Sequence, residues 1–328
     1  MKQNLLRMTA ALAIMGAAAC ADSTPVTPTL TAKAPSFTKA TSADNSSGEV
    51  AVVSPYLAQL NADLEASGAD YRIAKAELLM DGKRWDGVSS TLLIANDRFR
   101  GIGAEWVPGD PRRAGRIGVN YAIAPTFVQL PITRDPDFSN RHEVPYEQLV
   151  NQIGEAMSAW RGQSCPVAIT PVAFVGRPDI QYLGWYPKEV FESFTANPAD
   201  GDNIIGVTFS AVFVNPDHSL TDIDHNGKAD LARAQILFND NFAWGNNGAF
   251  NVVDFYSIIT HESGHALGLG HFGKVFVNRN NIGADGSISL DDIKYAPKAM
   301  MNAVYVTGRS EIAGTDHSSF CQIWSSAQ

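Results

Sequence analysis

Apolar positions along the chain recur first at helical, then at strand spacing, and the switches mark out its elements. Leu57, Leu60 and Leu64 follow Ser54-Pro55 and precede Gly68, which predicts a helix over 55–67 with a serine cap, a proline in the first turn and a glycine stop. Tyr71 to Met80 and Ser89 to Ala95 predict two strands joined across the turn signals Asp81-Gly82 and Asp86-Gly87. From Arg116 to Ala124, Ile117, Val119, Tyr121 and Ile123 alternate onto one face of a further strand. Leu149, Ile153, Ala156, Met157 and Trp160 form an apolar stripe on a helix over 145–161. Val167 to Val175 and Ile204 to Val214 predict more strands, Val252 to Thr260 leads into a helix, and Thr315 to Trp324 forms a short one at the C-terminal end. The fold class is α+β, with residues 49–114 as a small α+β lead-in region and 115–328 as the main domain.

The run 252–260 opens onto His261-Glu262-Ser263-Gly264-His265-Ala266-Leu267-Gly268-Leu269-Gly270-His271, the pattern HExxHxxGxxH. Four residues of α-helix advance about 400° and about 6 Å, so His261 and His265 lie on one face and reach one metal ion. Zinc takes nitrogen ligands in a tetrahedron and, at a catalytic site, keeps one position open. His271 reaches the same ion only if the helix ends first. Gly268 is where the chain can turn, because glycine enters the left-handed region without a Cβ penalty. Glu262 adjoins a ligand but points elsewhere, and is placed to take a proton from a water at the open position. No cysteine lies near the motif to close a purely structural site.

This pattern resembles the signature of the metzincin zinc endopeptidases at every defined position. The resemblance implies a twisted mixed sheet with a long helix and an active-site helix, above a lower subdomain carrying a methionine turn beneath the zinc ligands. Lys298-Ala299-Met300-Met301-Asn302-Ala303-Val304-Tyr305 is similar to that turn, with Met301 as its methionine and Tyr305 on the wall of the substrate pocket. Asn302 and Ala303 depart from the pattern, and Phe272 stands where matrixins have Ser or Thr, which makes the likeness matrixin-like. Residues 232–244 resemble the matrixin stretch along the edge of the cleft, where an extended substrate adds main chain to main chain. Leu237, Asn239 and Phe242 replace that stretch's metal ligands, so neither its structural zinc nor its calcium site carries over. The lead-in region suits a propeptide, although it has no cysteine to plug the zinc.

A second metal candidate is Asp222-Ile223-Asp224-His225-Asn226-Gly227-Lys228-Ala229-Asp230. Asp222, Asp224, Asn226 and Asp230 supply oxygens at EF-hand positions 1, 3, 5 and 9 around Gly227, but Arg233 replaces the bidentate glutamate. A Ca²⁺ loop and a solvated Asp/Asn turn both fit. Asn281 to Asp292 is a weaker loop of the same kind, which a hairpin turn explains as well.

The chain has 328 residues and a net charge of −9, with no basic stripe of the kind nucleic acid requires. Lys2, Arg7 and the apolar run Met8 to Ala19 read as a secretory signal over 1–19, too short to span a bilayer. Ala19-Cys20-Ala21 suits a signal peptidase cut, whereas Ala17-Ala18-Ala19-Cys20 resembles a bacterial lipobox that lipidates Cys20. The Thr-, Ser-, Ala- and Pro-rich stretch over 20–48 favours the lipobox, since it has the composition of a disordered tether. With Cys20 consumed, Cys165 and Cys321 remain as a pair in an oxidising compartment and are expected to form a disulfide. Together these readings describe an exported zinc endopeptidase, at the cell surface or secreted, acting on proteins or peptides with Glu262 as base and touching membrane only through lipid. The alternative is a binding protein on the same scaffold that holds peptides without cleaving them.

Overall fold

The structure, a computed structural model, describes residues 50–81, 91–99, 103–125, 127, 146–165, 167–195, 201–245, 252–277, 293–305 and 311–324. The signal, the tether, Cys20 and the loop Asn281 to Asp292 lie outside these residues. Fourteen strands and five α-helices follow in order: β1 (Val50–Val53), α1 (Pro55–Ala66), β2 (Tyr71–Asp81), β3 (Thr91–Ile94), β4 (Ala104–Glu105), β5 (Val119–Ile123), α2 (Tyr146–Arg161), β6 (Ile169–Pro171), β7 (Ile180–Tyr186), α3 (Lys188–Glu192), β8 (Ile204–Phe213), β9 (Ala229–Asn239), β10 (Trp244–Gly245), β11 (Val253–Asp254), α4 (Phe255–Ala266), β12 (Lys274–Val277), β13 (Ile293–Ala296), β14 (Val304–Tyr305) and α5 (Gly314–Trp324). The chain is therefore α+β.

Ten strands form one mixed sheet in the order β1-β3-β2-β8-β9-β7-β5-β6, with β14 beside the end of β2 and β4 beside the start of β9. Strands β9, β7, β5 and β6 run parallel, while β8 is antiparallel to both β9 and β2. Two small ribbons, β10-β11 and β12-β13, lie off the sheet. Among the described residues no helix is long and apolar enough to cross a membrane.

Local chemistry accounts for the predicted elements. Ser54 Oγ accepts from the Leu57 amide, Pro55 occupies the first turn of α1, and Gly68 ends it at φ +73°. Leu57, Leu60 and Leu64 are the buried face. In α2, Leu149, Ile153, Ala156, Met157 and Trp160 are all buried.

Four expectations need correction. The strand expected over Arg116 to Ala124 begins only at Val119. Ile117 is 64% exposed, because Arg113 and Arg116 are both drawn to the buried carboxylate of Asp179 and the chain turns there. The strand expected over Val167 to Val175 shrinks to three residues, and β7, rich in aromatics and fully buried, was not anticipated. The stretch 232–244 is no edge: β9 lies between β8 and β7, buried along its whole length. Position in a sheet depends on long-range pairing, which neither alternation nor motif spacing encodes.

The expected boundary at 114 does not divide the sheet either. Strand β2, from the lead-in region, pairs with β8 from Tyr71↔Phe213 to Met80↔Ile204. Residues 103–118 are fastened to the main body. Trp106 Nε1 donates to Ala266 O at 2.8 Å, Arg113 pairs with Asp179, and Arg112 bridges Asp110 and Asp230.

Candidate metal centre

Helix α4 carries the first half of the site and is tied down along its length. Asp254 caps it, accepting from Ser257 N at 2.9 Å and Ser257 Oγ at 2.5 Å. The Asp254 amide donates to Tyr305 Oη at 3.0 Å, so the tyrosine expected on the pocket wall also fixes the start of the helix. Phe255, the first helical residue, is packed among Phe127, Trp185, Phe238 and Trp244. Further along, Trp160 Nε1 donates to Thr260 O at 2.9 Å, and Ser263 Oγ lies 2.6 Å from Tyr182 Oη.

The helix ends where the sequence requires. Gly268 has φ +103°, the left-handed region, and its amide donates to His265 O. The chain doubles back and brings His271 beside the other two imidazoles. The three Nε2 atoms lie 3.1 Å (His261 to His271), 3.0 Å (His265 to His261) and 3.0 Å (His265 to His271) apart. His261 Nδ1 faces Met300 O at 2.7 Å, and His265 Nδ1 faces Leu269 O at 2.9 Å. A carbonyl only accepts, so both rings hold their proton on Nδ1 and turn a bare Nε2 lone pair inward. Lone pairs crowded this way repel unless a cation lies among them. A tetrahedral ion with bonds of about 2.0–2.1 Å spaces its ligands about 3.3–3.4 Å apart, a few tenths wider than observed, so the donor set fits zinc.

Burial, assisted by the neighbouring His271, pushes His261 down to about 3, opposed by its hydrogen bond to Met300. Burial likewise drives His265 well below the ordinary imidazole value, and the other two histidines add to it. Both therefore favour the neutral form, the state in which an imidazole can bind a metal. Glu262 is fully buried. Its Oε2 accepts from Thr208 Oγ1 at 2.6 Å, while Oε1 has no hydrogen-bond partner among the described residues. Burial raises the Glu262 pKa well above the ordinary value, the Thr208 bond opposes this, and Glu77 adds to it.

Beneath the site, Met301 is fully buried against Gly264 of α4. Asp316 on α5 holds the turn, accepting from the amides of Met300 at 2.8 Å and Met301 at 3.1 Å. Asn302 Nδ2 donates to Phe272 O at 2.9 Å and the Phe272 amide to Met301 O at 3.1 Å, which ties the turn to the segment after His271. Five residues later on α5, Cys321 forms a disulfide with Cys165, Cα to Cα 5.2 Å.

The chain matches no protein-family model and no curated protein.

The second metal candidate is assembled differently. Carboxylate oxygens of Asp222, Asp224 and Asp230 lie within 4.8 Å of one another. Asp230, however, is buried against Arg112 at 2.6 Å and accepts from the Ile223 amide, and Asp222 accepts from the amides of Asn226 and Gly227. Asn226 itself donates its side-chain amide to Asp224 at 3.1 Å. These bonds serve the turn, and each carboxylate oxygen that accepts one keeps a second lone pair, so the cation loop and the solvated turn both still fit.

Sequence reasoning missed Thr208, Asp316 and Trp106. Each lies far along the chain from the residue it supports, and only Trp106, a large aromatic in a Pro/Gly loop, carried a local signal.

Proposed function

We propose that this chain is a zinc-dependent endopeptidase of the metzincin type, with His261, His265 and His271 as metal ligands and Glu262 as general base. The observation that carries the reading is the convergence of three Nε2 lone pairs at helix α4, where the residue after His261, Glu262, has a buried Oε1 with no hydrogen-bond partner among the described residues. Zinc bound there supplies polarisation of the scissile carbonyl and a water of pKa about 7. Thr208 fixes Oε2 of Glu262 and leaves Oε1 to take the proton of the reacting water. Glu262 takes the proton as the water oxygen adds to the carbonyl carbon, then gives it to the amine as the C–N bond breaks. Its burial raises the proton affinity of the carboxyl, the direction that helps it take the proton of the water.

Export through residues 1–19, with lipid at Cys20, belongs to the same proposal on sequence grounds. The loop over 222–230 fits both a Ca²⁺ loop and a solvated turn. Metal analysis tests the ligand set. One zinc per chain is expected, with most of it lost in His265→Ala, and wild-type zinc in that variant contradicts the assignment.

A further inference from the structure

We propose that Cys165, Cys321 and His317 form a second metal site, which takes Zn²⁺ or a like thiophilic divalent cation whenever the Cys165–Cys321 disulfide is reduced. This site is separate from the histidine cluster and stands whether or not the chain is a peptidase.

Two segments supply its donors. Helix α2 ends at Arg161, and Ser164, in the left-handed region at φ +63°, turns the chain so that Gln163 O and Cys165 meet one side of α5. On α5, His317 and Cys321 are four residues apart and share a face. Ligand atoms of Cys165, His317 and Cys321 all lie within 4.8 Å of one another. Gln163 O lies 3.3 Å from Cys165 Sγ and 3.5 Å from Cys321 Sγ, close enough to supply a fourth, oxygen donor.

A disulfide by itself needs neither the imidazole nor the carbonyl. The imidazole is also prepared. Gln163 Nε2 donates to Ala159 O at 2.8 Å, which leaves Gln163 Oε1 facing His317 Nδ1 at 3.2 Å. An amide oxygen only accepts, so His317 keeps its proton on Nδ1 and leaves Nε2 bare, 3.8 Å from Cys321 Sγ. Metal-binding histidines are arranged this way, one nitrogen held by an acceptor and the other free to ligate. Zinc bonds of about 2.3 Å to sulfur and about 2.0–2.1 Å to nitrogen place sulfur and nitrogen about 3.5–3.6 Å apart in a tetrahedron, and two sulfurs about 3.8 Å apart. His317 already stands close to that spacing. Across a Cα–Cα distance of 5.2 Å, the sulfurs reach theirs by side-chain rotation once the bond between them is broken.

Cys321 and His317 are half-buried, so a small dithiol reaches the Cys321 sulfur. The dithiol gives up two electrons and two protons: it becomes a disulfide, and Cys165 and Cys321 become thiols. Zn²⁺ then displaces both thiol protons and binds the thiolates. Either link fastens α5 to the end of α2, and α5 carries Asp316, which holds the Met300 and Met301 amides. The exchange keeps that support in both redox states.

Cobalt is the probe, because Co²⁺ bound by thiolate gives a near-ultraviolet charge-transfer band that Co²⁺ on histidines alone lacks. The full chain carrying Cys20→Ser, which leaves Cys165 and Cys321 as its cysteines, is reduced, stripped with chelator and titrated with Co²⁺. The band is expected in the reduced chain, is displaced by Zn²⁺, and is absent from the unreduced chain and from Cys165→Ser. His317→Ala should raise the Co²⁺ concentration that half-saturates the band by about tenfold or more, since even a partner of a ligand is worth that much. A reduced, folded chain without the band overturns the proposal, as does an equal band in Cys165→Ser or unchanged half-saturation in His317→Ala. An equal band in the unreduced chain overturns the exchange with the disulfide. Should the reduced chain lose its fold without metal, Zn²⁺ is added during reduction and thermal unfolding is compared with the double variant Cys165→Ser, Cys321→Ser. Zinc on the histidine cluster raises both midpoints alike, so a larger gain in the parent supports the second site and equal gains overturn it.

Discussion

Gly264 lies directly over the side chain of Met301. A Cβ at that position would collide with the Met301 sulfur and come within 2.9 Å of Trp160 Cζ2. The glycine between His261 and His265 thus lets α4 settle onto the Met300-Met301 turn and α2. Gly264→Ala should cost about 1–3 kcal/mol by overpacking and loosen the histidine cluster. Thermal unfolding of the zinc-free protein reads the first effect and zinc affinity the second. An unchanged midpoint contradicts this packing.

Asp179 anchors the entry to β5. Burial opposes its charge, but Arg116, Arg113 and the Asn120 amide outweigh that and hold its carboxyl below the usual carboxylate range. A depressed carboxyl contributes stability above its unfolded pKa near 3.8, which is lost as pH falls through the lower folded value. Asp179→Asn leaves Arg113 buried without a counter-charge and should cost about 3–5 kcal/mol at neutral pH. Urea unfolding across acid pH should show this loss, with a shallower acid slope in the variant.

The histidines give the metal-free chain a second pH dependence. His261 is held neutral down to about 3 when folded, but takes a proton near 6.5 when unfolded. The unfolded state then binds more protons, so stability falls as pH drops from about 6.5 toward 3, by up to about 1.4 kcal/mol per pH unit from this group. Chelator-treated protein should show that slope in urea midpoints, and His261→Gln should flatten it. Equal slopes contradict the buried neutral state.

The Cys165–Cys321 bridge closes a span of 156 residues and ties α5, with Asp316, to the end of α2. The chain-entropy model gives about 5 kcal/mol for such a loop, an upper figure. Cys321→Ser should lower the unfolding midpoint and, through Asp316, weaken zinc binding. Alkylation of both thiols in native, unreduced protein rules the bridge out.

The histidine cluster was legible because its spacing is local: His261, Glu262 and His265 share one helix, and Gly268 makes the turn to His271. The helix over 55–67 and the cysteine pair were equally plain. Pairing across the sheet was not. Nothing in Tyr71 to Met80 marks it as the partner of β8 and β14, and nothing in residues 232–244 tells an edge from an interior strand. Asn302 takes its meaning only from Phe272, thirty residues earlier, whose carbonyl its side chain holds.

The central claim, three histidines holding zinc and Glu262 moving the proton, is tested most directly by Glu262→Gln. Zinc content and casein hydrolysis are measured side by side with wild type. The account predicts about one zinc per chain in both and hydrolysis lower by about 10² to 10⁴ in the variant, the usual worth of general acid–base help. A variant that keeps its zinc and more than about a tenth of wild-type turnover contradicts it.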